Sequence, residues 1–166
     1  MIFKYLKQPP RRYMFEQHLL RDFVEGWCKG KVLNLFAGKV KLSVDEVRID
    51  LSNEFNPDYN IDALDFIKST DLKFDTVIYD PPYSLRKSMT KYNGKIASSS
   101  LWIKEELPRV LNKEARIITL GYDSVGMSES RGFKKIALYL VCHGGAHHDT
   151  ICLVEEHNLE SELMRR

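Results

Sequence analysis

Cysteine is scarce in this sequence. Cys28, Cys142 and Cys152 are odd in number and no two of them form a CxxC pair. A disulfide framework and a zinc ribbon are therefore not indicated, and a reduced, cytoplasmic setting is the expectation. Long apolar runs are missing too. None approaches the ~20 residues that span a bilayer, so no membrane is expected among the partners. The opening residues 1–7 carry charges without an apolar stretch and are not expected to act as a secretion signal. Net charge is also small, since 25 Lys and Arg stand against 23 Asp and Glu, a formal +2. Any polyanionic partner would have to be met by local clusters of basic residues. What the chain does have is a 43% hydrophobic content over 166 residues. That is enough for a core and fits one domain over residues 1–166, with 1–10 as a basic and aromatic leader closed by Pro9-Pro10.

Residues 11–28 are predicted to be helical. Tyr13, Phe15, His18, Leu19, Phe23, Val24 and Trp27 recur at near-helical spacing, and Gly30 supplies the stop. Residues 31–36 form an apolar run expected to be a buried strand, ended by Ala37-Gly38. A second strand over 47–50 follows so soon that residues 39–46 have no room for the crossover helix that parallel neighbours normally use. A single turn or an extended excursion is expected there. Residues 61–69 fit a short amphipathic helix, and 74–79 a strand stopped by Pro81-Pro82. Residues 84–97 are polar and basic around Asn93-Gly94 and read as a loop. A helix over 98–111, with Pro108 in its last turn, and a strand over 116–120 closed by Gly121 come next. Strands over 134–142 and 150–155, joined by the Gly-rich residues 143–149, read as a hairpin. The alternation points to an α/β domain, an open and mostly parallel sheet with helices on its faces and an antiparallel final strand.

In such sheets ligands bind beyond the carboxyl ends of the strands. The residues there are Ala37-Gly38, Asp50, Asp80-Pro81-Pro82-Tyr83, Gly121-Tyr122-Asp123 and His143-Gly144-Gly145. If the strands are parallel, a small-residue turn, two acids, a proline-stiffened aromatic turn and a histidine-rich loop share one edge.

Asp80-Pro81-Pro82-Tyr83 after a strand resembles the signature of the S-adenosylmethionine-dependent amino-methyltransferases that act on adenine N6 or cytosine N4. The likeness extends over residues 31–83. Leu33-Asn34-Leu35-Phe36-Ala37-Gly38 is similar to the first cofactor motif of those enzymes, Asp50 stands where an acid binds the ribose hydroxyls, and Asp62-Ala63 resembles the segment beside the cofactor adenine. The resemblance implies a Rossmann-like class I methyltransferase fold and S-adenosyl-L-methionine as cofactor. It makes Asn34, Phe36, Ala37, Gly38, Asp50, Leu51, Asp62 and Ala63 the candidate cofactor residues, and Asp80, Pro81, Pro82 and Tyr83 the candidate catalytic ones. Each role is chemically sound. A carboxylate can accept from both ribose hydroxyls or from an exocyclic amine, and Gly38 admits close backbone approach. By analogy, Asp80 and the Pro81 carbonyl would accept the two N–H bonds of the target amine and aim its lone pair at the methyl group, while Tyr83 stacks on a base taken out of any duplex. Asp62 has a second reading as a helix cap.

The sequence departs from the family in lacking the Gly-x-Gly of the first motif, because Lys39-Val40 follow Gly38. It also has no room for a separate target-recognition domain. Loops, the leader, or a partner subunit such as a second copy in a homodimer must then find the substrate. Arg86, Lys87 and Lys91 with Tyr83 are candidates for the nucleic-acid backbone. His143 and His147 are candidates for a base or a phosphate. The spacing of Cys142, His143, His147 and His148 fits no standard zinc site, and no metal is expected. Methylation of adenine N6 in DNA is the leading expectation. The alternatives are RNA base amino-methylation at guanine N2 or adenine N6, cytosine N4 methylation in DNA, and a non-catalytic nucleic-acid-binding subunit of the same fold.

Overall fold

A computed structural model describes residues 1–82 and 99–157. Eight strands form one sheet: β1 (Ile2–Lys7), β2 (Val32–Leu35), β3 (Glu46–Asp50), β4 (Tyr59–Asn60), β5 (Phe74–Tyr79), β6 (Leu111–Gly121), β7 (Phe133–Cys142) and β8 (Thr150–His157). Their order across the sheet is β1-β7-β8-β6-β5-β2-β3-β4. Only β8 is antiparallel to its neighbours, as the predicted hairpin requires. The described helices are α1 (His18–Trp27), α2 (Ala63–Ser69) and α3 (Ser100–Glu106).

Strand alternation divides the core in two. On one face Leu20 and Val24 of α1 pack with Val32, Ile78, Ile118, Tyr139, Val141 and Val154. On the other, Phe66 and Ile67 of α2 and Ile103 of α3 pack with Leu33, Leu35, Val77, Tyr79 and Ile117. Neighbouring residues of one strand thus serve opposite cores, so adjacent apolar pairs such as Val32-Leu33 of β2 and Val77-Ile78 of β5 stand in place of an alternating pattern.

Several expectations are corrected. The presumed leader supplies β1, which adds to the sheet edge by parallel pairing of Ile2–Lys7 with residues 137–142 of β7. The predicted 11–28 helix is interrupted. A 3-10 turn covers Met14–Glu16, and Gln17 takes an extended conformation before α1 starts. Gly30 does not end that helix, whose cap is Cys28. Its positive φ instead brings the backbone against Asp75, where a Cβ would stand 2.1 Å from Oδ2. The 98–111 helix ends at Glu106 in a 3-10 turn over Leu107–Val110, and Leu111 already belongs to β6. The unexpected β4 pairs Tyr59 and Asn60 with Ile49 and Asp50.

The short β2–β3 link is held by side chains in place of a crossover helix. Leu42 is buried in the α1-side core, and its N–H donates to Glu46 Oε1 at 2.9 Å. Asn34 Nδ2 donates to Glu46 Oε2 at 2.8 Å. Glu25 of α1 accepts from Ser43 N at 2.8 Å.

A second buried carboxylate closes the opposite side of the sheet. Glu155 of β8 is 0% exposed and accepts from Met127 N at 2.7 Å and Ser128 N at 3.3 Å. Burial pushes its pKa up, and those two N–H groups oppose the shift. A raised folded pKa means a contribution to stability that is full below the unfolded value of about 4.3 and is lost as pH climbs through the folded one. Thermal unfolding should therefore show wild type losing stability relative to Glu155→Gln as pH rises from about 4.3 towards neutrality. A pH-independent gap would show that Glu155 ionises as readily folded as unfolded.

Candidate active site

The carboxyl ends of β2, β3 and β5 meet at one sheet edge. β2 pairs with β5 through Leu35 and Tyr79, so Phe36 and Asp80 leave adjacent strands side by side, with about 4.8 Å between strand axes. The Phe36 and Tyr79 rings meet edge to face at 5.9 Å. Phe36 has a positive φ of 62°. This left-handed step turns the chain sharply between the last paired residue and Gly38, whose φ is 58°.

The turn is fixed from three directions. Ala37 N donates to the Ile49 carbonyl at 3.1 Å. Gly38 N donates to Asp50 Oδ2 at 2.9 Å. The Gly38 carbonyl accepts from Arg48 Nη2. Arg48 is 7% exposed, also donates to the Phe55 carbonyl at 3.2 Å, and faces Glu46 at 3.6 Å. Burial raises the Glu46 pKa, while Asn34, Leu42 and Arg48 pull it back down. The sequence reading did not pick out Glu46 or Arg48. The available signal was their spacing of two on one short strand, which puts an acid and a base on the same face.

The candidate cofactor residues fall into two groups. Phe36, Ala37, Gly38, Asp50, Leu51, Asp62 and Ala63 surround the ends of β2 and β3 and the start of α2. Asn34 is separate. It is 0% exposed and its amide is engaged with Glu46, so it supports the loop from below. Asp50 is 5% exposed, and its two oxygens accept from Gly38 N and from Ser52 N at 2.9 Å. Each carboxylate oxygen can still accept once more. Asp62 caps α2, accepting from Leu64 N at 2.9 Å. The helix-cap reading is thus true of one oxygen. Ala63 is buried beneath it, and Tyr59 and Phe66 set two rings 5.0 Å apart beside it.

Asp80, Pro81 and Pro82 follow β5 and are half-buried. The strand beneath them is anchored by Tyr79, which is fully buried and donates its hydroxyl to Ser100 Oγ at 2.7 Å. Burial pushes that phenol up to about 12. Burial raises the pKa of the Cys152 thiol on β8, and the charge of Asp80 adds to the rise. Tyr83, Arg86, Lys87 and Lys91 lie outside the described residues. His143 holds the fold together, with Nδ1 2.8 Å from the Gln8 carbonyl and Nε2 2.8 Å from Thr150 Oγ1. Both ring nitrogens are occupied, so a phosphate contact through them is not available. His147 is exposed. Among the described residues no three His, Cys, Asp or Glu side chains gather as a metal site, and no helix is long and apolar enough to cross a membrane.

A sheet of this order, parallel but for the last strand and carrying acids at the ends of β3 and β5, is the class I methyltransferase fold. Solved structures share it at low sequence identity. The chain resembles yhhF from Escherichia coli with a TM-score of 0.61 and 13% identity, over 90% of this chain and 90% of that one. It resembles the N-methyltransferase NodS from Bradyrhizobium japonicum WM9, solved with S-adenosyl-L-homocysteine, at 0.56 and 14%, over 84% and 83%. TrmN from Thermus thermophilus matches at 0.56 and 14%, over 84% and 47%. The chain therefore spans about half the length of several structures it matches, TrmN among them. No protein-family model and no curated protein matches the sequence.

Proposed function

We propose that this chain transfers a methyl group from S-adenosylmethionine to the exocyclic amine of a nucleobase, adenine N6 in DNA being the leading acceptor. The observation that carries the reading is the adjacency of Asp80-Pro81-Pro82 and the Phe36-Ala37-Gly38 turn on paired strands. The NodS structure, an N-methyltransferase holding the demethylated cofactor product, supports cofactor and reaction type. The fold leaves two tasks to its residues. Asp50 and Asp62 would hold the cofactor's ribose and adenine, while the Phe36–Gly38 turn passes beneath its methionine end. Asp80 and the Pro81 carbonyl would accept the two N–H bonds of the amine. An exocyclic amine is a weak nucleophile because its lone pair is delocalised into the ring. Two acceptors on its hydrogens favour a pyramidal nitrogen with the lone pair directed at the sulfonium methyl. When bound, the cofactor would supply a methyl group on a sulfonium, its carbon–sulfur bond giving way to the new carbon–nitrogen bond with release of the neutral thioether, and the proton lost from the nitrogen would leave towards the Asp80 side.

Methyl transfer from labelled cofactor to DNA and RNA pools, followed by nucleoside analysis, tests this directly. N6-methyladenine in DNA is the expected product. Label in RNA or on another base would change the acceptor, and no label in any amino-methylated base would refute the proposal. Calorimetry adds an independent check. Asp50→Ala should weaken cofactor binding by tenfold or more, since it removes the ribose acceptor and lets the Gly38 turn loosen together. Unchanged affinity would remove Asp50 from the cofactor site.

A further inference from the structure

A cleft of about 380 Å³ opens beside the site, between the segment leading into α1 and the ends of β6 and β7. Arg11, Arg12, Gln17, Tyr122, His147 and His148 line it. Tyr122 directly follows β6, the neighbour of β5, so the cleft begins one strand away from Asp80. The segment over Met14–Gln17 forms its other wall, and Tyr13 carries that segment towards the cofactor turn. The Tyr13 ring meets Phe55 edge to face at 5.3 Å and lies under Lys39 Nζ at 5.2 Å. One short segment thus touches both the Gly38 loop and the cleft.

The chemistry of the lining is specific. Gln17 is 3% exposed, and no donor among the described residues reaches its Oε1. Its amide nitrogen has only the Met14 sulfur at 3.8 Å. A buried amide oxygen without a donor is costly and rare in folded chains. Gln17 lines the cleft, and a small rotation of its side chain would turn that occluded oxygen towards a ligand that brings an N–H. Arg11 and Arg12 are exposed at the same cleft, and guanidinium forks match phosphate. Tyr122 and His148 set two rings 5.3 Å apart on the opposite wall, surfaces on which a base can stack. The volume lies near the lower end of small-molecule sites, about 300–1,000 Å³, and suits one nucleotide.

We infer that this cleft is a nucleotide subsite, which takes the unit flanking the acceptor, with its phosphate on Arg11 and Arg12, its base against Tyr122 and His148, and an amine-bearing base edge on Gln17 Oε1. The inference rests on the nucleobase-acceptor reading above, and it makes Gln17 a determinant of sequence context rather than of chemistry.

Calorimetry on the full chain saturated with S-adenosylhomocysteine tests it, because the product fills the cofactor's own adenine pocket. The probes are AMP, its analogue purine riboside 5′-monophosphate, which lacks only the amine, and adenosine. AMP should bind tenfold or more tightly than the analogue, and Gln17→Leu should erase that difference. The double substitution Arg11→Glu with Arg12→Glu, both at the surface, should lower AMP affinity tenfold or more and leave adenosine unaffected. Equal affinity for AMP and the analogue in wild type, AMP binding that ignores both variants, or no AMP binding at millimolar concentration would each overturn the inference. The methyl-transfer assay stays separate. Transfer to DNA that survives all three cleft substitutions sinks the subsite alone, whereas Gln17-dependent AMP binding without any transfer sinks only the catalytic reading.

Discussion

If Asp80 orients the acceptor amine as proposed, Asp80→Ala should abolish methyl transfer, lowering kcat by a factor of at least about 10²–10³, the usual cost of deleting one preorganised group at the reacting centre. Cofactor affinity measured by calorimetry should stay within twofold of wild type, because the candidate cofactor residues lie at the ends of β2 and β3 and the start of α2. The separation of effects follows from the sheet. Asp80 hangs from β5, and β5 is fixed independently by Tyr79 in the core and by the Tyr79–Ser100 hydrogen bond. Removing the carboxylate leaves that frame in place. Asp80→Asn is the sharper variant. It keeps an acceptor oxygen but adds two N–H donors that face the amine's own hydrogens, and it should recover little of the lost rate. Transfer that persists in Asp80→Ala would show that the amine is oriented by other groups.

Arg48→Met destabilises the fold by about 3–5 kcal/mol, the range for stripping a partner from a buried ion pair. The substitution leaves Glu46, with a 0% exposed side chain, without its ion-pair partner. It also takes the donor from the Gly38 and Phe55 carbonyls. Urea denaturation should report the loss as a lower midpoint with an unchanged slope. Adding Glu46→Gln should return part of it. The glutamine keeps an acceptor for Asn34 or Leu42 and carries no charge to desolvate. Arg48→Lys should rescue less, since a single ammonium cannot serve two carbonyls and a carboxylate in the fork geometry of a guanidinium. At temperatures where the single variant remains folded, cofactor binding should also weaken, because Gly38 is then held only through its N–H to Asp50. A loss below about 1 kcal/mol would place the Glu46–Arg48 pair among the weakly contributing ion pairs typical of surfaces.

The parts of the molecule that were readable in the sequence are those whose determinants are local. Residues 74–79 carry apolar side chains on both strand faces, with Asp75 and Thr76 between them, and stop just before two prolines, and they form β5 as expected. The 134–142 and 150–155 runs around a Gly-rich turn form the hairpin. The absence of a crossover helix after Gly38 was legible from spacing alone, but its replacement was not. Arg48 sits in a strand pattern where a charged residue ordinarily faces water, and only the return of residues 53–58 over it produces burial. β1 was illegible for a related reason. Its residues are exposed on both faces apart from Leu6, so no alternation marks them as a strand. Their conformation is imposed by a partner far along the chain. The α1 region misled through periodicity. Tyr13 and Phe15 belong to the near-helical pattern that continues through His18, Leu19, Phe23, Val24 and Trp27, yet Gln17 breaks the helix and turns the preceding residues towards the site. Tyr83, Arg86, Lys87 and Lys91 fall beyond the described residues, and their assignment rests on the sequence.

The β1–β7 pairing bears on the order in which the molecule is made. Residues 2–7 leave the ribosome well before their partner, which spans 137–142. The His143–Gln8 contact that fastens this edge joins residues 135 apart in sequence. Closing so long a loop is entropically slow, and high contact order delays folding. Through most of synthesis, Ile2, Phe3 and Tyr5 therefore stand without a sheet to join. The nascent chain is most exposed to aggregation, and to chaperones that recognise short apolar segments, at this early strand rather than at its core.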